Sequence, residues 1–118
     1  MDKIRLVSIT CHQPSETDKD EIYLRFRTEK IWPSGSKFVK IDTNDTLDIN
    51  LTLEVSTIWV EIELWEYDYL KRDDHLGDFI FKSSNYAGEY TSELKVTDEW
   101  AGKTSYTLKW EIVKSILR

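Results

Sequence analysis

The chain is poor in the residues from which most small reactive sites are built. Its 118 residues include one cysteine, one methionine, two histidines, two prolines and four glycines. A lone cysteine, Cys11, excludes an intramolecular disulfide and any multi-thiolate metal site. Two histidines as far apart as His12 and His75 make no zinc pattern. With so few glycines there is no glycine-rich loop to cradle phosphates. Positive charge is also short: 16 Lys and Arg stand against 22 Asp and Glu, a net charge of −6. Nucleic-acid binding needs a basic patch, and none appears, so that class is excluded. No apolar run approaches the roughly 20 residues of a membrane span. Met1-Asp2-Lys3 leads straight into a strand pattern and lacks the regions of a signal peptide. A reducing, cytoplasmic setting is the expectation; a leaderless secreted protein or a piece of a longer chain would read the same way.

Hydrophobic residues make up 40% and aromatics 13%, a globular composition. The length suits one domain with one core, residues 1–118, since domains hold roughly 100–200 residues. Helical periodicity is nearly absent, and alternation of apolar and polar residues dominates. The clearest strand is Ile58–Glu66, with Ile58, Val60, Ile62 and Leu64 inward and Trp59, Glu61, Glu63 and Trp65 outward. Further strands are expected at Lys3–His12, Glu21–Lys30, Lys37–Ile41, Thr46–Val55, Asp78–Lys82, Glu89–Thr97 and Thr104–Val113. In the first of these, Ile4 and Leu6 alternate, and then Val7, Ile9 and Cys11 continue on the other parity, which predicts a β-bulge. Asp98–Gly102 reads as a turn or short helical turn. Eight one-sided strands are best buried as two packed antiparallel sheets, with a closed barrel as the competing arrangement.

Directly after the central strand comes the densest group of carboxylates, Glu66, Asp68, Asp73 and Asp74. Glu66 and Asp68 share strand parity, and Asp74 returns on the far limb of the loop. Gly77 is expected to turn the backbone into the next strand. If the polar loop holding Glu16, Asp18, Asp20 and Glu21 lies alongside, its oxygens join the cluster. Calcium takes about 6–8 oxygen ligands, mostly carboxylates, carbonyls and water, so such a cup suits it. The alternative is an acidic surface neutralised by pairing with Lys19, Lys71 and Arg72.

These residues carry a resemblance. Glu66-Tyr67-Asp68 followed by Asp73-Asp74-His75-Leu76-Gly77 resembles the Asp-x-Asp and Asp-Asp-hydrophobic-hydrophobic-Gly pattern of C2 domains. Asp20-Glu21-Ile22-Tyr23-Leu24 is similar to the Ser-Asp-Pro-Tyr-Val segment of that family. The resemblance implies an all-β fold, an eight-stranded antiparallel β-sandwich. It implies a non-enzymatic module with calcium as the bound ion, peripheral at a membrane, whose partner is an anionic membrane surface or a protein. Glu66, Asp68 and Asp74 then fall on three ligand positions, with Asp73 as an accessory residue. Glu21 falls on a first-loop ligand position, with Ser15, Glu16 or Asp18 nearest the other. Glutamate replaces aspartate at Glu66 and Glu21, which lengthens two ligands by a methylene, and Ile22 replaces proline.

Two further features invite partners. The loop tip Tyr69-Leu70-Lys71-Arg72 joins an apolar pair to two cations, as a membrane-docking loop would. Trp59 and Trp65 share the outward face of one strand, beside which Tyr23 or Arg25 can lie. They are suited to a calcium-independent protein contact, to stacking on sugars, or simply to cross-strand packing. A carbohydrate-binding or hydrolytic sandwich using Glu61 and Glu63 is the alternative from another class. Cys11 is expected in the core, and His75 is expected to pair with Asp73 or Asp78.

Overall fold

The computed structural model describes residues 2–97 and 103–113, and the alternating runs form ten strands in it. They are β1 (Asp2–Gln13), β2 (Asp20–Phe26), β3 (Glu29–Trp32), β4 (Val39–Ile41) and β5 (Thr46–Val55), then β6 (Trp59–Glu66), β7 (Asp74–Lys82), β8 (Gly88–Glu93), β9 (Lys95–Val96) and β10 (Ser105–Val113). All pairs are antiparallel. One sheet has the order β5-β1-β10-β8; the other runs β3-β2-β6-β7-β9, with β4 also paired to β2. Both sheets end in open edges, so the molecule is a sandwich and not a closed barrel.

Each expected run is a strand, but two of them divide. Glu21–Lys30 breaks at Arg27-Thr28, where φ is +52° and +68°. Positive φ at both central residues is the signature of a type I′ hairpin turn, which matches the twist of its flanking strands. Phe26 then pairs with Glu29, closing β2 onto β3. Glu89–Thr97 divides around Leu94: β8 pairs with β10 in one sheet and β9 with β7 in the other. Asp98–Gly102 and the residues from 114 onward lie outside the described residues.

The core forms between the sheets from the expected faces. Ile4, Leu6, Ile9 and Cys11 of β1 are fully buried, and the parity change occurs through a bulge between Leu6 and Ser8. Opposite them lie Ile22 and Leu24 of β2, Val60, Ile62 and Leu64 of β6, and Phe79 of β7. Tyr106, Leu108, Trp110 and Ile112 of β10 complete the layer, with Trp110 stacked on Phe81 at 3.9 Å between ring centroids. Burial of each Leu, Ile or Phe contributes about 1.5–3 kcal/mol. Ile58, expected inward, precedes β6 and is exposed.

Gly77 also departs from expectation. It lies inside β7, and its φ is not in the left-handed region. A Cβ built there would lie 2.4 Å from the carbonyl oxygen of Lys95. Glycine is required so that β9 can approach β7, not to turn the chain.

Candidate functional site at the loop end of the sandwich

Strand pairing brings the two acidic loops together. β2 pairs with β6 (Ile22 opposite Glu66) and β6 with β7 (Glu66 opposite Asp74). Tyr67 N donates to Glu21 O at 2.8 Å, which ties loop 67–73 to the start of β2. Loop 14–19 folds over the same end. Glu16, Asp20 and Glu66 offer carboxylate oxygens within 4.8 Å of one another.

Asp20 is fully buried and saturated. Its oxygens accept from Ser15 N and Ser15 Oγ at 2.8 Å, from Glu16 N at 3.2 Å and from Tyr106 OH at 2.5 Å. Those four bonds use the whole acceptor capacity of a carboxylate. Glu66 is 4% exposed and sits 3.0 Å from Ser15 Oγ and 3.4 Å from Glu21 N. The Ser15 hydroxyl has a single proton and lies within hydrogen-bond distance of both carboxylates. Burial, then the nearby Asp20 charge, push the Glu66 carboxyl up to about 8, so it is a neutral acid at pH 7. Burial and the surrounding carboxylates also raise Glu16.

Two of the remaining predicted ligands, Asp68 and Asp73, accept hydrogen bonds within the loop. Asp68 Oδ1 accepts from Leu70 N at 2.8 Å and Lys71 N at 3.2 Å, a local turn that shapes the tip. Asp73 accepts from Asp68 N at 2.9 Å and Tyr23 OH at 2.5 Å, closing the base of the loop. Asp74 begins β7 instead of lying in the loop. Asp18 and Glu21 line a small cleft with Glu16, Lys19 and Lys40. Among the described residues, only Glu16, Asp20 and Glu66 of the predicted set share one cluster; Asp18, Glu21, Asp68, Asp73 and Asp74 stand outside it. Nor do Lys19, Lys71 or Arg72 form an ion pair among the described residues, so surface pairing does not account for the cluster.

The loop tip rests on an aromatic cluster. Tyr67 stacks on Phe38 at 5.0 Å and meets Tyr69 edge-on at 5.0 Å, and Phe38 meets Tyr69 at 6.1 Å. Lys37 Nζ lies 5.5 Å from the Tyr67 ring. On this base Tyr69 is 68% and Leu70 97% exposed, followed by exposed Lys71 and Arg72.

Neither a protein-family profile nor a curated protein sequence matches the chain. A search of solved structures finds a C2 domain, the one lettered A, of a plant Extended Synaptotagmin 1. The TM-score is 0.59 and the identity 12%, and the match covers 94% of this chain and 90% of that one. The fold is that of a C2 domain. The likeness is one of architecture, and the side chains at the loop end of this C2 fold must be read on their own terms. Two of the groups that complete its acidic network, Ser15 and Tyr106, carry no strong sequence signal. Ser15 is only one of several neighbours in the first loop, and Tyr106 reads as an ordinary core residue.

The two tryptophans of β6, Trp59 and Trp65, stand at opposite ends of that strand in this C2 sandwich. Trp65 is enclosed by its neighbours: His75 stacks on it at 4.7 Å, Tyr23 at 6.4 Å, and the Arg25 guanidinium lies 4.9 Å from its ring. With Tyr23, Arg25, Arg72 and Asp73 it lines an open groove of about 500 Å³. Trp59 is exposed, with Lys82 Nζ 5.1 Å from its ring.

Proposed function

We propose that this chain is a non-enzymatic docking module that presents loop 67–73 to an anionic lipid surface. The observation that carries the reading is Leu70, 97% exposed at the tip of a loop that is held rigid beneath it. The Asp68 and Asp73 bonds and the Phe38–Tyr67–Tyr69 cluster keep Leu70 from folding back. Burying one leucine contributes about 1.5–3 kcal/mol, which such a tip gains on entering a bilayer interface. Lys71, Arg72 and Lys37 flank it, and each cation near an anionic surface adds about 1 kcal/mol.

The net charge of −6 opposes this approach, and a divalent ion in the loop end would offset it. Glu16, Asp20 and Glu66 fit a hard ion such as calcium: the donors are all carboxylate oxygens within reach of one ion, and Glu66 keeps a proton that an ion would replace. Asp20, already accepting four hydrogen bonds, is the least available of the three. Calcium bound there would supply positive charge beside the docking loop.

Co-sedimentation with vesicles of phosphatidylcholine, with and without phosphatidylserine, tests the reading. The protein should pellet with the anionic vesicles, and Leu70→Asp should remain in the supernatant with an unchanged melting temperature. Wild-type protein that stays in the supernatant in both calcium and EDTA, or Leu70→Asp that pellets equally, overturns it. The exposed Trp59, beside exposed Ile58 and Ile80, favours a second reading, a calcium-independent protein contact at the far end of the β6–β7 face. A partner interaction of that kind is abolished by Trp59→Ala and indifferent to Leu70→Asp.

A further inference from the structure

The β6–β7 face carries a second group of ligating side chains that lipid docking does not use. Glu63 and Asp78 are direct cross-strand partners, as are Trp65 and His75. Between these two pairs the register shifts, because Leu76 is an extra residue on β7. In a regular strand, His75 and Asp78 would point to opposite faces. The bulge reverses the parity and brings both to the same face as Glu63. His75, Asp78 and Glu63 thus each offer a ligand atom within 4.8 Å of the other two.

Neighbouring groups already orient two of the three. The Trp65 indole lies flat on the His75 imidazole, at 4.7 Å and 4° between planes. The same indole donates its Nε1–H to Glu63 Oε1 at 2.9 Å. His75 Nε2 faces Asp78 Oδ1 at 2.8 Å, in the position where an ion would stand in for a shared proton. The side chains of Glu63, His75 and Asp78 are 31%, 28% and 24% exposed, so the site is held by the sheet but open to solvent.

We infer that Glu63, His75 and Asp78 form a site for a divalent transition metal of the zinc class. One imidazole and two carboxylates make a three-ligand set of the type that holds zinc with an open position for water. Calcium, which takes oxygen donors, is not suited to the imidazole. A partner that orients a ligand beyond the metal is a regular feature of such centres, and Trp65 serves both Glu63 and His75 in this way. The Arg25 guanidinium lies 3.9 Å from Glu63 and Lys95 is the cross-strand partner of Asp78, so a dication would displace two surface cations from these carboxylates.

Thermal melts and isothermal titration with zinc chloride, run beside calcium chloride, test the assignment. Zinc on the order of 100 µM should raise the melting temperature by several degrees, because it binds only the folded state. His75→Gln should weaken zinc binding at least tenfold, Asp78→Asn should weaken it as well, and His12→Gln should leave it intact. Cobalt substituted for zinc should give visible absorption bands that Asp78→Asn alters. If His75→Gln does not fold, the Asp78→Asn chain and its cobalt spectrum decide the matter. No zinc binding at that concentration, or binding that survives both variants, or binding lost only with His12→Gln, overturns the inference.

Discussion

Glu66→Gln tests the chemistry of the loop end in a single substitution. The folded protein keeps the Glu66 proton up to about pH 8, whereas an ordinary glutamate releases it near 4.5. Across that window the folded state binds more protons than the unfolded chain, so stability falls as pH rises. The slope is about 1.4 kcal/mol per pH unit, or on the order of 4 kcal/mol between pH 5 and pH 8. The raised Glu16 carboxyl adds a contribution of the same sign. Glutamine reproduces the shape and the donor of the protonated acid and cannot ionise. At pH 5 the variant should match the wild type within about 1 kcal/mol. By pH 8 it should be the more stable by a few kcal/mol, which raises the melting temperature by about 3–6 °C per kcal/mol in a domain of this size. Urea unfolding at half-unit intervals from pH 5 to pH 8.5 measures both slopes. Parallel slopes in the two proteins, or a variant less stable at every pH, would refute a neutral Glu66.

Further outcomes follow from the same structure. At pH 8.5 millimolar calcium should raise the wild-type melting temperature and leave Glu66→Gln unmoved; equal shifts would remove the Glu16–Asp20–Glu66 cluster as the ion site. Gly77→Ala should cost at least about 1–3 kcal/mol in urea unfolding, because its Cβ meets the Lys95 carbonyl at 2.4 Å. A cost below half a kcal/mol would show that β9 moves freely away from β7. Replacing Arg27-Thr28 by Asn-Gly should stabilise the protein by about 0.4–1 kcal/mol, since both residues hold positive φ. A loss of stability there would mean that the Arg27 guanidinium over the Phe26 ring matters more than the backbone preference.

The layout of the fold was legible in the sequence because burial on one side of a sheet leaves a period of two. Val60, Ile62 and Leu64, and Tyr106, Leu108, Trp110 and Ile112, announce their faces without ambiguity. What periodicity does not show is where a strand changes partner or direction. The Arg27-Thr28 hairpin lacks the Asn-Gly or Asp-Gly pair that marks such turns, and Leu94 switches sheets without any break in alternation. The candidate site was legible in outline only. The spacing from Glu66 to Asp74 brings acidic groups to one end of the sandwich, but spacing does not say which carboxylates are already spoken for. Tyr23 claims Asp73, Tyr106 and Ser15 claim Asp20, and the turn amides claim Asp68. The mixed group on β6 and β7 was hidden by the bulge at Leu76, which puts His75 and Asp78 on a shared face against strand parity.

The central claim, that Leu70 enters a lipid surface, has a direct measurement. Cys11 is the only cysteine and is fully buried, so Leu70→Cys provides a single accessible thiol for an environment-sensitive fluorophore. On vesicles containing phosphatidylserine the emission should shift to the blue and be quenched by lipids brominated along their chains, with no change on neutral vesicles. A probe at position 70 that stays in a water-like environment while the protein is vesicle-bound would contradict docking through this loop.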